Sequence, residues 1–256
     1  LSTVTSERES GFRVERVGIA SPALRADAPP VRVAHLSDLH LTRLRPRHMR
    51  LVECVNQWEP DVICLTGDLV SRAHESWGVL QSLAEKLRAT HGVFACTGNW
   101  EIKTGLRYEA MRQIGDECGL AFLINEPQTV QTPAGLLRFA GIDDLALGWP
   151  HWEDALGSGG EADYTILLSH VPLAARLLPA RLGVDLVLSG HTHGGQVRIP
   201  LVWRLFLPSC HGGLVGGLHS VDGGLIYVSR GFGAAPRLPL RLLCPAEVAF
   251  ITLRGV

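Results

Sequence analysis

Four histidines, two aspartates and an asparagine stand directly behind short apolar runs in this chain. Val184–Ser189 runs into the turn Gly190-His191-Thr192-His193-Gly194-Gly195-Gln196. In extended backbone residues i and i+2 point the same way, so both imidazoles reach one small volume. The glycines let the backbone bend sharply and come close to a ligand. The construction recurs. Val31–Leu36 leads to Ser37-Asp38-Leu39-His40, Asp61–Leu65 to Thr66-Gly67-Asp68, Gly92–Cys96 to Thr97-Gly98-Asn99, and Tyr164–Leu168 to Ser169-His170. One His-x-His is as often a hydrogen-bonded pair as a metal site. Asp and Asn also favour turns, but that preference does not account for four histidines among seven strand-end groups.

Seven donors exceed what one ion needs and suit two. Asp38, His40 and His193 would hold one ion, and Asn99, His170 and His191 the other, with Asp68 bridging them. Carboxylate, amide and imidazole ligands together suit Mn, Fe, Zn or Co. Two such ions about 3.5–4 Å apart share a water, lower its pKa and clamp the attacking and leaving oxygens of a phosphoryl group. With only Asp38 and Asp68 as carboxylates, the pair of ions keeps positive charge for a phosphate and its transition state.

The elements that must position these groups follow from the pattern. Helical periodicity covers 46–59, opening at Pro46, then 75–90 and 105–118, and Pro172 opens a further short helix. Continuous apolar strands between helices imply a sheet covered on both faces, with ligands at the carboxyl ends of its strands. Residues 120–142 read as short β segments, and Phe12–Ile19, Leu225–Val228 and Glu247–Thr252 as further strands. Residues 1–10 read as a mobile polar segment and 11–256 as a single domain.

A formal net charge of -1 over 256 residues leaves no global field for nucleic acid or an acidic membrane. No apolar run is long enough to span a bilayer, and no signal-peptide pattern is visible. The six cysteines form no Cys-x-x-Cys, which excludes zinc-ribbon and thioredoxin readings. Cys64 and Cys96 lie in apolar runs and read as reduced, buried thiols. These features place the chain in the cytoplasm or at the periphery of its membrane, an upstream anchor aside.

Asp38-x-His40, Gly67-Asp68, Gly98-Asn99, His170 and Gly190-His191-x-His193, in that order, resemble the calcineurin-like metallophosphoesterases. His193-Gly194-Gly195-Gln196 and Tyr227-Val228-Ser229-Arg230-Gly231 are similar to the bacterial phosphodiesterase branch of YkuE and YaeI type. The resemblance implies a four-layer α/β/β/α sandwich, a dinuclear centre and the same seven ligands. One departure bears on mechanism. The family's third motif has Asn-His before an acidic residue, and that His binds phosphate and protonates the leaving group. Here the motif is Asn99-Trp100-Glu101.

The expected activity is hydrolysis of phosphodiesters by a hydroxide bridging two divalent ions. The rivals are a pyrophosphate hydrolase acting on a lipid-linked nucleotide sugar and a non-catalytic metal-binding interaction module. His74 and His211 are the candidates for a general acid, and Trp100 and Arg230 for substrate contacts, Trp100 by stacking and Arg230 by gripping phosphate. Arg241 of the same tail is a further arginine that could grip a phosphate or lipid headgroup, and Arg237 reads as solvated. His35 reads as a core histidine, and Asp143 and Asp144 as partners of the ligands or as turn residues. The apolar stretch 201–207 reads as core, with a lip for peripheral membrane contact as the alternative. The oligomeric state is not legible.

Overall fold

Apolar runs that do not alternate with polar residues need cover on both faces, and the folding pattern supplies it. A computed structural model describes residues 2–9, 11–71, 75–157, 160–201, 203–208, 210–221, 223–236 and 238–256. The strands are β1 Ser2–Glu9, β2 Phe12–Ser21, β3 Val31–Leu36, β4 Val62–Thr66, β5 Val93–Cys96, β6 Leu120–Phe122, β7 Glu126–Thr132, β8 Gly135–Gly141, β9 Tyr164–Leu168, β10 Leu186–Ser189, β11 Gly217–Val221, β12 Gly224–Val228 and β13 Glu247–Gly255. The helices are α1 Pro46–Gln57, α2 Glu75–Ala84, α3 Asn99–Lys103, α4 Tyr108–Glu117, α5 Trp152–Leu156 and α6 Ala174–Leu177.

The strands form two sheets, ordered β1-β2-β13-β3-β4-β5-β6 and β11-β12-β10-β9-β8-β7. In the first, β3 to β6 are mutually parallel, while β13 runs antiparallel to β3. In the second, β8, β9, β10 and β12 are parallel, with β7 and β11 antiparallel at the edges. Every residue of β4, β5, β9 and β10 is buried. Val33, Cys64, Phe94, Phe139, Ile166, Leu188 and Tyr227 fill the space between the sheets. Leu51, Val55, Leu80, Leu83 and Met111 of α1, α2 and α4 cover the outside of the first sheet. Ala155, Leu156 and Ala175 of α5 and α6 cover the second. The result is the α/β/β/α sandwich. His35 is a core histidine, with Nε2 2.8 Å from Thr66 Oγ1 and its ring edge-on to Tyr227. Burial pushes it down to about 3, so it is neutral.

Three readings change. Residues 2–9 are not a free tail: β1 pairs with β2 along its whole length, from Ser2↔Ile19 to Glu9↔Phe12. All of its residues are exposed, so the strand is held by backbone bonds and leaves no alternating pattern to read. The second helix stops at Ala84, not at 90. Leu87 is buried from a turn beyond it, and that contact imitates one more helical repeat. The span 105–118 becomes α4, preceded by the unforeseen α3. All six cysteines are unpaired, and among the described residues no helix is long and apolar enough to cross a membrane.

Candidate metal centre

The carboxyl ends of β3, β4 and β5 are neighbours in one sheet, and those of β9 and β10 in the other. The sheets face each other, so the two sets of loops meet above the core. The loops after β3 and β4 stay side by side: Asp38 N donates to Gly67 O at 3.0 Å and His40 N to Asp68 O at 2.9 Å. Across the second sheet Gly190 N donates to His170 O at 3.0 Å. Close approach demands glycine at two of these turns. A Cβ on Gly98 would stand 2.4 Å from Asp68 N, and one on Gly190 1.9 Å from Ser37 Oγ.

Two nitrogen pairs define the centre. His40 Nε2 and His193 Nε2 are 3.1 Å apart, and His170 Nε2 and His191 Nδ1 are 3.1 Å apart. Asp68 Oδ2 lies between the pairs, 3.6 Å from His40 Nε2 and 3.3 Å from His170 Nε2. Asp38 Oδ1 is 3.3 Å from His193 Nε2. Ligand atoms of Asp38, His40, Asp68 and His193 all fall within 4.8 Å of one another, as a metal site requires. Asn99 opens α3, is buried, and lines the same pocket as Asp68, His191 and His193.

Surrounding groups aim these atoms. Ser37 Oγ donates to Asp38 Oδ2 at 2.7 Å, and His191 N donates to the same oxygen at 3.1 Å. Asp38 Oδ1 is then buried with no hydrogen-bond partner. Such an orphan acceptor is costly in a neutral cavity and suits a cation. Trp100 N donates to Asp68 Oδ1 at 2.8 Å, which leaves Oδ2 for the centre. His170 Nδ1 donates to Thr66 O at 2.8 Å, so its Nε2 carries the lone pair. His40 Nδ1 stands 3.1 Å from Ser71 Oγ. The residues fit divalent ions.

Backbone strain points the same way. Asp38, His40, Asp68, His191 and His193 all have φ between 46° and 66°. That region disfavours side chains by about 1 kcal/mol or more each, and such residues persist where their surroundings over-determine them.

Electrostatics follow from burial. Burial raises Asp38 to about 6, with Asp68 adding and His170 and Ser37 opposing. Burial would raise Asp68 too, but His170 and His40 hold it well below the usual carboxylate range. Burial would lower His170, yet Asp68 raises it strongly. Burial lowers His40 to about 4, and lowers His193 well below the usual value with help from His40 and Arg241. Two buried carboxylates and the imidazoles of His40, His170 and His193 thus titrate against one another.

Glu101 was not foreseen as part of the site. Its buried carboxylate accepts from Gly98 N, Asp68 N, Leu69 N and Val70 N at 2.7–3.1 Å, which fixes the turn that carries Asp68. Burial and Asp68 push it up to about 7, against the pull of those donors. One sequence signal was present: Gly98 is the residue before α3, and a Glu three residues later reaching back to it is half of a capping box. Arg241, one of the tail arginines read as a grip for phosphate, does come to the site. It stands 3.3 Å from His193 Nδ1, donates to Arg230 O and Gly233 O, and has no carboxylate partner among the described residues.

A pocket of about 440 Å³ opens onto Asp68, Asn99, Trp100, His191 and His193, with Leu205, Leu207, Pro208 and Leu238 around its mouth. Trp100 is one wall, edge-on to His40 at 5.9 Å with Lys103 Nζ over its face at 4.8 Å. The described residues of 201–207 are not core: Leu201 and Leu205 are 101% and 83% exposed, and this part of the chain belongs to neither sheet. Arg230 does not face phosphate as an uncompensated charge. Glu247 and Glu15, both buried, neutralise it. His211 lies outside the pocket and accepts from Gly213 N in its own turn. His74 and Arg237 lie outside the described residues. Asp143 accepts from Thr97 Oγ1, Tyr108 OH and Trp149 N, and Asp144 from Ala146 N and Leu147 N. Both brace the loop after β8.

Residues 31–195 match the family described as Calcineurin-like phosphoesterase. The chain is 32% identical to the uncharacterized metallophosphoesterase YkuE of Bacillus subtilis over 226 residues, covering 87% of this chain and 77% of YkuE. It is 30% identical to phosphodiesterase YaeI of Escherichia coli, covering 89% and 83%. Among solved structures, calcineurin-like phosphoesterase YfkN from Bacillus subtilis superposes with a TM-score of 0.50 at 13% identity, over 80% of this chain and 82% of that one. That likeness speaks to fold alone.

Proposed function

The chain belongs to the calcineurin-like phosphoesterase family, whose members hydrolyse phosphoesters, and from that premise we propose a phosphodiesterase that uses two divalent ions. The observation that carries this reading is Asp68 Oδ2, placed between the His40–His193 pair and the His170–His191 pair. The name of YaeI supports diesters. Asp38, His40 and His193 would hold one ion, and Asn99, His170 and His191 the other. Bound there, divalent ions such as manganese supply an activated water and neutralise phosphoryl oxygens.

The chain's own residues do the rest. Ser37, Thr66, Ser71 and Trp100 N fix the ligand orientations, and Glu101 fixes the Asp68 turn. Arg241 adds positive charge beside His193. The Trp100 ring offers a face for an aromatic or nucleobase group of the substrate, worth about 1–3 kcal/mol. Its indole N–H is donor only and does not replace the family's histidine acid, so leaving groups that depart unprotonated are favoured.

The test loads the purified chain with manganese and assays aryl diesters, alkyl monoesters and pyrophosphates beside an elemental analysis. Two ions per chain and hydrolysis of a chromogenic diester support the reading. No turnover on any of these esters, with ions bound, would leave the interaction-module alternative standing.

A second reading keeps the chemistry and changes the substrate to a lipid-linked pyrophosphate. Its support is Leu205, which lines the metal pocket and stands in solvent, with exposed Leu201 in the same stretch and Arg198 and Arg204 over the ring of Trp203 between them. Leucines with flanking arginines suit an anionic lipid surface, which would put the protein at the membrane periphery.

A further inference from the structure

A second cavity, of about 370 Å³, adjoins the candidate metal centre and shares His40 with it. Its volume falls within the range of small-molecule sites. Arg43, Arg45, Arg47 and His48 line it together with Thr42. Residues 233–236 and 238–239 are the partition: Gly233, Ala234, Pro236 and Pro239 face this cavity, while Ala235 and Leu238 face the metal pocket. A molecule reacting above Asp68 and His40 therefore has room on both sides of the partition.

The cavity is built for negative charge. Arg13, Arg16, Arg25, Arg112, Arg181 and Arg230 each have a carboxylate partner, whereas Arg43, Arg45 and Arg47 have none among the described residues. In a chain of net charge -1 this is a local excess of cations. Arg47 is held in place: its Nη2 donates to Phe232 O at 2.6 Å and its guanidinium stacks 4.7 Å over the Phe232 ring. Its Nε is buried without a partner. Burial and the neighbouring Arg241 and Arg45 push this guanidinium below its ordinary range, the mark of uncompensated positive charge. His48 Nδ1 accepts from Arg45 N at 3.1 Å, which puts the proton of the neutral ring on Nε2. The cavity also lies at the start of α1, whose first turn holds no acidic residue. That end of a 12-residue helix carries partial positive charge.

We infer that this cavity binds a phosphate monoester group, carried by the substrate as a second anionic group beyond the scissile phosphorus. The inference rests on the phosphodiesterase reading and deepens it. Arginine forks match phosphate oxygens in paired, charge-assisted hydrogen bonds, and the partition separates that group from the one in the metal pocket. The same chemistry would take up free inorganic phosphate.

The test uses the manganese-loaded chain and an Arg43→Gln/Arg45→Gln double variant. Both side chains are exposed, so the fold should be kept, as an unchanged Tm would verify. The substrates are two nucleoside 5′-(p-nitrophenyl phosphate) diesters, with and without a 3′-phosphate. The extra phosphate should lower KM for the native chain by about 10-fold, the worth of roughly one charge-assisted hydrogen bond. The double variant should erase that advantage while changing the plain diester less than about twofold. Equal KM for the two diesters in the native chain, or an advantage that survives in the variant, overturns the subsite. Inorganic phosphate added to the plain diester separates the sources. An effect on the native chain but not the variant, without any advantage for the 3′-phosphate diester, assigns the cavity to free phosphate and overturns the substrate claim. Should neither diester turn over, the phosphodiesterase reading fails by itself. The cavity is then judged by calorimetric titration of a nucleoside 3′,5′-bisphosphate into chelator-treated protein. A binding loss of about 10-fold in the variant upholds it, and equal or absent binding overturns it.

Discussion

Along the ends of β3, β4, β5, β9 and β10, six of the seven candidate ligands are buried, and their orientations are fixed by Ser37, Thr66, Glu101 and neighbouring backbone groups. Residues 197–201, 203–208 and 238–243, by contrast, expose Leu201, Leu205 and Leu243 and carry Arg198 and Arg204 without carboxylate partners among the described residues. One wall is held by strands that are buried along almost their whole length. The other is turns and short helical pieces over the surface. Rigid strand ends suit chemistry that tolerates little displacement, and irregular loops suit choice of partner. The contrast predicts that changes on the first wall abolish function, while changes on the second redirect it.

The largest effect should come from Asp68→Asn. Losing the carboxylate shared by both nitrogen pairs should cost on the order of 10³-fold in turnover, the scale of a group acting on the transition state. Both ions should weaken together in an elemental analysis. A variant that keeps one ion at full occupancy would break the bridging assignment.

Trp100→His tests the one first-wall position that departs from the family's pattern. General acid help is worth about 10²–10⁴-fold, so the lower figure is expected for alkyl leaving groups, with little change for phenolates. A leaving-group series reads this directly, and a native chain already insensitive to leaving-group pKa would show that another acid is present.

Glu101→Gln should lower metal affinity by roughly 10–100-fold, as for other groups that orient a ligand from behind. Chelator competition measures it. Unaltered affinity would mean that the four N–H donors around Glu101 do not govern Asp68.

Proton linkage gives a smaller effect. Burial holds His35 at about 3 in the fold, against about 6.5 for an unfolded chain. The unfolded state therefore binds the proton first as pH falls. Stability is full above about 6.5 and declines towards about 3. His48, held at about 4 by burial and by Arg47 and Arg45, acts in the same direction. In chelator, Tm should fall by roughly 5 °C between about pH 7 and pH 5 through His35, and His35→Gln should flatten that slope. A slope unchanged by the substitution would remove His35 from the account.

The smallest effect on chemistry is expected from Leu201→Ser with Leu205→Ser. Hydrolysis of a soluble aryl diester should stay within about twofold, since both side chains are solvated surface. Cosedimentation with vesicles containing phosphatidylglycerol should drop if the rim meets lipid. Equal loss of diester hydrolysis would erase the distinction between the two walls.

Local pattern was enough to find the ligands and the kind of elements that carry them. An apolar run closed by glycine and then Asp, Asn or His is a short-range signal, and it marked Asp68, Asn99 and His191 without reference to the rest of the chain. His35 inside a run of Val, Ala and Leu was legible as core for the same reason. What the pattern could not hold was anything set by distant partners. The division of the strand ends between two sheets is one example, and β13 entering between β2 and β3 is another, a pairing that joins chain segments more than two hundred residues apart. Whether Arg230 faces phosphate or Glu247, whether 201–207 is core or rim, and which arginines meet across a cavity are likewise decided by tertiary packing. A charged side chain reads the same in sequence whether its counter-ion lies beside it or across the fold, because electrostatic and packing partners are fixed by distance in space and not along the chain.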